Sequence, residues 1–328
     1  MYDTQITGPD RPLLPIALRM AESLREFQRV LGEDGSLPSL VPAAEHLEQG
    51  GTLWPHAYGA YFALLRALQD DDEAALPPLV TRLAGSIRPP DAPIAIRMLG
   101  FEEFGRDGTR DARADFASSF LVHTQMRAVP AVAHVRMRCR LRAALHLIET
   151  LAPKAWRDVS QCTAEIIAAF GAPRGIMTFD GCSSLVRYGS ILINMRRKRT
   201  PLVLAETLVH ESAHSLLFAL SSDDHRVLNP PTELHKSPLR LDPRPLDGIY
   251  HAVFVLARMH GFVAEIAQHP DTTSALRSEA RDVMQNRRKN FLDGHAVLAE
   301  HAQLTEIGED LLTDAFDRVQ AAHEAVFG

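Results

Sequence analysis

The sequence predicts a mainly α-helical fold with a small β-hairpin or sheet beside one metal-binding helix. Three observations lead there. Apolar residues recur at helical spacing along most of the 328 residues. The runs GIMTFD and SSLVRYGSILINM, between positions 175 and 195, are β-branched, aromatic and split by the turn pair Asp180-Gly181. The apolar segment Leu202 to Leu220, LVLAETLVHESAHSLLFAL, holds His210, Glu211 and His214 in the pattern H-E-x-x-H.

Taken in order, the first dozen residues read as a loose lead-in rich in Pro, Gly and Asp. Leu14 to Leu31 is an amphipathic helix closed by Gly32. Helices follow at Leu40 to Leu47, Trp54 to Leu68, with Pro55 suited to its first turn, and Ala74 to Leu83. Trp54, His56, Tyr58 and Tyr61 offer a binding face, although an aromatic helix is more often core. Ser86 to Pro93, with three prolines, forbids helix. Helical periodicity returns between Asp111 and Leu151, with the arginines from Arg136 to Arg142 on a solvated stripe. Residues 1–150 therefore read as a helical N-terminal region, a scaffold or a peptide-recognition half, and residues 151–328 as the metal-binding catalytic region.

In the second region Trp156 to Phe170 reads as a helix ended by Gly171 and Pro173. The strand runs and the H-E-x-x-H helix come next, which together predict a zincin-like arrangement: many zinc hydrolases set a short sheet beside such a helix and hold an extended peptide on its edge. Ser221 to Gly248 has five prolines and little periodicity, yet keeps Leu228, Leu234, Leu239 and Leu241, so an ordered loop over the site is expected. Gly248 to Glu265 is a strongly apolar helix containing His251, and Ala275 to Phe327 supplies two more helices.

Composition sets bounds. With 46% hydrophobic residues the chain buries a sizeable core. A net charge of -6 and a pI near 6.2 argue against a general nucleic-acid binder. The basic runs Arg196 to Arg199 and Arg287 to Lys289 are expected to cap and solvate element ends. Cys139, Cys162 and Cys182 are odd in number and lack C-x-x-C spacing, which fits a reduced, cytoplasmic compartment. No basic stretch followed by an apolar core opens the chain, and no run approaches eighteen uninterrupted apolar residues, so neither a signal peptide nor a membrane span is predicted.

The site follows from spacing. Residues four apart on a helix lie one turn above each other, so His210 and His214 can reach one metal ion, with Glu211 beside them to polarise a bound water. A metal needs a further protein ligand. His225, His235, His251 and His260 are downstream candidates, and His251 is preferred because it stands near the start of a buried helix. Glu265 is a carboxylate alternative and His235 a loop alternative. Arg240 and Arg244 flank the prolines of the loop, where they either bind an anionic cosubstrate or peptide carboxylate, or pin the loop to Asp242 or Asp247.

LAETLVHESAH together with SPLRLDPRPLDGIYHAVFVLAR resembles the H-E-x-x-H proteins encoded beside ribosomally made peptide natural products, a family of iron- and 2-oxoglutarate-dependent peptide β-hydroxylases. The resemblance covers under a third of the chain, and the D-P-R-P-L-x-G-x-x-H segment is its more specific part. It implies His210, His214 and His251 as Fe(II) ligands, Arg240 and Arg244 as 2-oxoglutarate-binding residues, and a precursor peptide as partner. Leu239 stands where the family usually has Trp, and Ser212 and Ala213 where it has an aromatic residue or Gln. On the residues alone the same ligands serve a zinc metallopeptidase with Glu211 as general base. In the hydroxylase Glu211 instead orients a ligand or a water. A helical peptide-binding partner with a structural metal is the non-catalytic alternative.

Overall fold

The computed structural model describes residues 15–31, 37–118, 125–171, 179–220, 225–237 and 242–328. Its first layer is helical: α1 (Pro15–Leu31), α2 (Val41–Glu48), α3 (His56–Gln69) and α4 (Leu76–Ala84), with a two-residue ladder between β1 (Thr52–Leu53) and β2 (Ile87–Arg88). These helices close on Leu24, Leu40, Leu47, Leu64 and Leu83, all buried. Tyr58 belongs to that core, so the aromatic face of α3 is packed in large part.

A mixed sheet follows. β3 (Ala95–Met98) precedes α5 (Phe101–Ala117), and β4 (Met126–Arg127) precedes α6 (His134–Leu151) and α7 (Pro153–Cys162). β5 (Glu165–Gly171) is central, with parallel β3 on one side and parallel β7 (Ser190–Asn194) on the other. β6 (Gly181–Ser183) runs antiparallel to β7 at the outer edge, and β4 pairs with the end of β5. The boundary at residue 150 runs through this sheet, since β3 and β4 precede it and the other strands follow.

The expected helix from Trp156 to Phe170 is corrected here: helix stops at Cys162 and Glu165–Gly171 is strand. The cause is burial on both faces. Ile166 and Ala168 pack with α6, Ile167 and Ala169 with Phe116 of α5. A doubly covered strand reads as a continuous apolar run with no period to separate it from helix.

α8 (Pro201–Leu220) carries H-E-x-x-H across three apolar clusters. Thr200 Oγ1 accepts from Val203 N at 3.2 Å and Pro201 occupies the first turn, so the entry is capped in the ordinary way. Leu202, Leu208 and Leu217 are fully buried, and each contributes about 2 kcal/mol. β8 (Leu234–His235) pairs with β9 (Arg244–Pro245) ahead of α9 (Leu246–Gln268). α10 (Ser274–His301) and α11 (Glu306–Phe327) close the molecule, each with a threonine cap. Among the described helices α9 alone has the length and composition to cross a membrane, and most of it is buried inside the protein.

The basic runs do more than solvate ends. Arg287 on α10 holds the buried carboxylate of Glu206 through two bonds of 2.7 and 2.9 Å. Arg138, expected on a solvated stripe, bonds Glu103 at 2.7 Å and the carbonyl of Ile96. Leu228 and Leu234 are exposed, so the described part of the loop is held instead by buried Arg226 and by Val227, which bridges to Leu304.

His260 on α9 is fully buried, and neither ring nitrogen has a hydrogen-bond partner among the described residues. Burial, with His323 and Arg288 nearby, lowers its pKa to about 4. Between the unfolded value near 6.5 and about 4 the unfolded chain binds the extra proton, so stability from this group is complete above pH 6.5 and is lost on acidification. His260→Leu should therefore flatten the fall in melting temperature between pH 6.5 and 4. An unchanged slope would assign the acid sensitivity to other groups.

Candidate functional site

His210 and His214 sit one turn apart on α8, ring centroids 5.0 Å apart. His251, from the first turns of α9, lies 5.9 Å from His214. The three predicted ligands thus come together in a row with His214 in the middle. The His214 side chain forms no hydrogen bond among the described residues. Burial, with repulsion from His210 and His251, holds its pKa well below the ordinary imidazole value. The ring is therefore neutral at physiological pH, the form in which imidazole coordinates metals.

The outer rings have protein partners. His210 Nδ1 stands 3.3 Å from Met259 Sδ, and Arg226 Nη2 donates to His251 Nε2 at 3.2 Å. Met259 lies two turns beyond His251 on the same face of α9, a spacing visible in the sequence though not read there. Arg226 sits in the aperiodic loop, where no one-dimensional pattern marks it.

Glu211 turns toward the sheet. Ser183 Oγ donates to its Oε2 at 3.1 Å, while Oε1 remains 3.9 Å from His210 Nε2. Burial raises its pKa to about 8, opposed by hydrogen bonds from the Ser183 side chain and backbone. A Cβ on Gly181 would stand 2.7 Å from Glu211 Cγ and Oε1, so any larger residue there would push this carboxyl group from its place. Among the described residues β6 pairs with β7 alone, leaving the edge nearest α8 without a strand partner.

The other candidates are placed elsewhere. His225 is exposed. His235 pairs with Glu233 at 2.8 Å and stacks on His301. His260 faces His323. Glu265 accepts from the backbone N–H groups of Lys154 and Ala155 at 2.8 and 3.1 Å, capping α7. Arg244 forms an ion pair with Asp242 at 2.9 Å, the loop-pinning role. Arg240 lies outside the described residues.

For a metal, the donor chemistry and the present arrangement differ. Neutral, clustered imidazoles suit a divalent transition ion. Among the described residues, however, no three His, Cys, Asp or Glu side chains are placed to hold one ion, and Arg226 engages the nitrogen His251 would offer. The chemistry of the donors fits while their present placement does not complete a site: His210 and His214 are adjacent rings, and Arg226 would have to release His251 before it could join them. No protein-family model matches the chain, and no curated protein matches it significantly.

Proposed function

We propose that this protein is an Fe(II)- and 2-oxoglutarate-dependent peptide β-hydroxylase acting on a ribosomally made precursor peptide in the cytoplasm. The observation that carries the reading is the row of His210, His214 and His251 across α8 and α9, in the two segments that resemble that family. Iron held by these residues would supply the oxidising chemistry. In the overall reaction, 2-oxoglutarate, dioxygen and a peptide C–H give succinate, carbon dioxide and a hydroxyl, with one oxygen atom in succinate and the other on the β-carbon.

The chain's own residues supply position. Among the described residues the outer edge of β6, beside α8, has no strand partner, and an extended peptide can add there as a strand. Arg240 and Arg244 are the residues proposed for the far carboxylate of 2-oxoglutarate, Arg244 by exchanging Asp242 for it. Glu211, held by Ser183, orients a neighbouring ligand or water. The cysteines Cys139, Cys162 and Cys182 are free, which suits a reducing compartment.

A zinc metallopeptidase is the second reading, and the position of Glu211 favours it: its carboxyl group lies 3.9 Å from His210, beside the residues that would hold the metal, where a general base is needed. The test is succinate formation by anaerobically purified protein given Fe(II), 2-oxoglutarate and then air. We expect iron-dependent succinate that falls by about 10- to 100-fold in Glu211→Gln without being abolished, the range over which loss of an orienting group acts. Zinc-dependent peptide cleavage abolished by Glu211→Gln, with no succinate, would make the protein a peptidase.

A further inference from the structure

Beside His251 lies a cavity of about 260 Å³ that the site described above does not use. Its walls are largely apolar and aromatic, with Met20, Tyr58, Phe62 and Phe218 among them, and Arg19 and Arg226 contribute guanidinium groups. Phe218 also packs 5.9 Å from His251, so the cavity adjoins the histidine row.

Arg226 is the unusual wall. It is only 8% exposed, and among the described residues it has no carboxylate within ion-pair distance. Nη1 donates to Leu217 O at 3.3 Å and Nη2 to His251 Nε2, while Nε has no hydrogen-bond partner among the described residues. A buried cation held by a carbonyl, an imidazole and the through-space attraction of Asp247, with no ion pair among the described residues, is costly. Its planar fork matches a carboxylate, and the surrounding rings match an apolar body.

We propose that this cavity binds a carboxylate carried on a compact apolar body, with Arg226 as its anchor. Two sources share that chemistry, a free organic acid and the C-terminal residue of a peptide. The site is independent of the iron reading, because it needs neither a metal nor turnover. It does place an anionic ligand next to His251, where its binding would draw Arg226 off the imidazole.

The experiment is calorimetric titration of the full-length, metal-free protein with hexanoate, with N-acetylphenylalanine and with N-acetylphenylalaninamide. We expect at least one acid to bind and the amide to bind at least about tenfold more weakly, as a charge-assisted hydrogen bond implies. Tighter binding of hexanoate assigns a free acid, tighter binding of N-acetylphenylalanine a peptide C-terminus. Arg226→Met should lose the acid at least about tenfold, and Arg226→Lys should restore part of it. Should Arg226→Met fail to fold, Leu185→Trp narrows the cavity from an exposed position and should weaken the acid several-fold. Equal binding of acid and amide, unchanged affinity in the folded variants, or no binding of either acid overturns the proposal.

Discussion

Replacing Arg287 with methionine is expected to destabilise the protein by about 3 to 5 kcal/mol, the cost of leaving a buried carboxylate without its partner. Glu206 is 4% exposed at its side chain and accepts both bonds of the guanidinium. Its pair joins α10 to α8 one turn before His210, so the loss falls on the helix that carries the motif. The pair as a whole is worth much less than its breaking suggests. Glu206→Met combined with Arg287→Met should recover most of the loss, because two apolar side chains of similar length need no solvation. Urea unfolding of the wild type, the two single variants and the double variant measures this coupling. Additive losses in the double variant would show that each residue acts through other contacts.

The second large effect is expected at His214. His214→Ala should lower metal affinity by at least about a hundredfold, more than the loss of an outer-shell partner brings. The reason is position: His214 is the ring that neighbours both others, and among the described residues no side-chain hydrogen bond ties it to another task. The fold should survive, since Leu208, Leu216 and Leu217 hold α8 from both sides of the motif. Metal analysis after dialysis against Fe(II) or Zn(II), with circular dichroism as the folding control, gives the result. Undiminished metal content in His214→Ala would remove the histidine row as the metal site, and the hydroxylase and peptidase readings with it.

Much of the helical framework was legible because its burial is one-sided. α1, α2 and α3 fall within a few residues of the expected spans, each marked by an apolar stripe and a Pro or Gly at an end, while α9, buried on most sides, was marked by a long apolar run after Pro245. Of the sheet only the run SSLVRYGSILINM was legible, and its turn was misplaced: Gly181 is the first residue of β6, paired with Ile193, and β6 reaches β7 through residues 184–189. Residues 175–178 of the expected run GIMTFD lie outside the described residues. β5 gave no period, and β3, four residues long, was hidden next to the proline-rich break. At the site, three histidines could be chosen because helical spacing and burial are sequence properties. Arg226 could not, since its importance arises from a loop folding back onto α9, and Gly181 gains meaning only when β6 meets Glu211. Long-range approach of this kind leaves no mark in a local pattern.

β5 also bears on how the chain reaches this structure. Its partner β3 is synthesised first, Ala95 pairing with Glu165 across a long intervening segment, and β7 emerges only afterwards. Bringing such distant segments together carries a loop-closure cost, so pairing is slow compared with helix formation. In the interval EIIAAFG is a proline-free, nearly uncharged strand with two open edges. The same segment that centres the native sheet is thus a liability for aggregation during folding. A fragment beginning at residue 151 would keep that liability permanently, because it lacks the strands that cover one edge of β5.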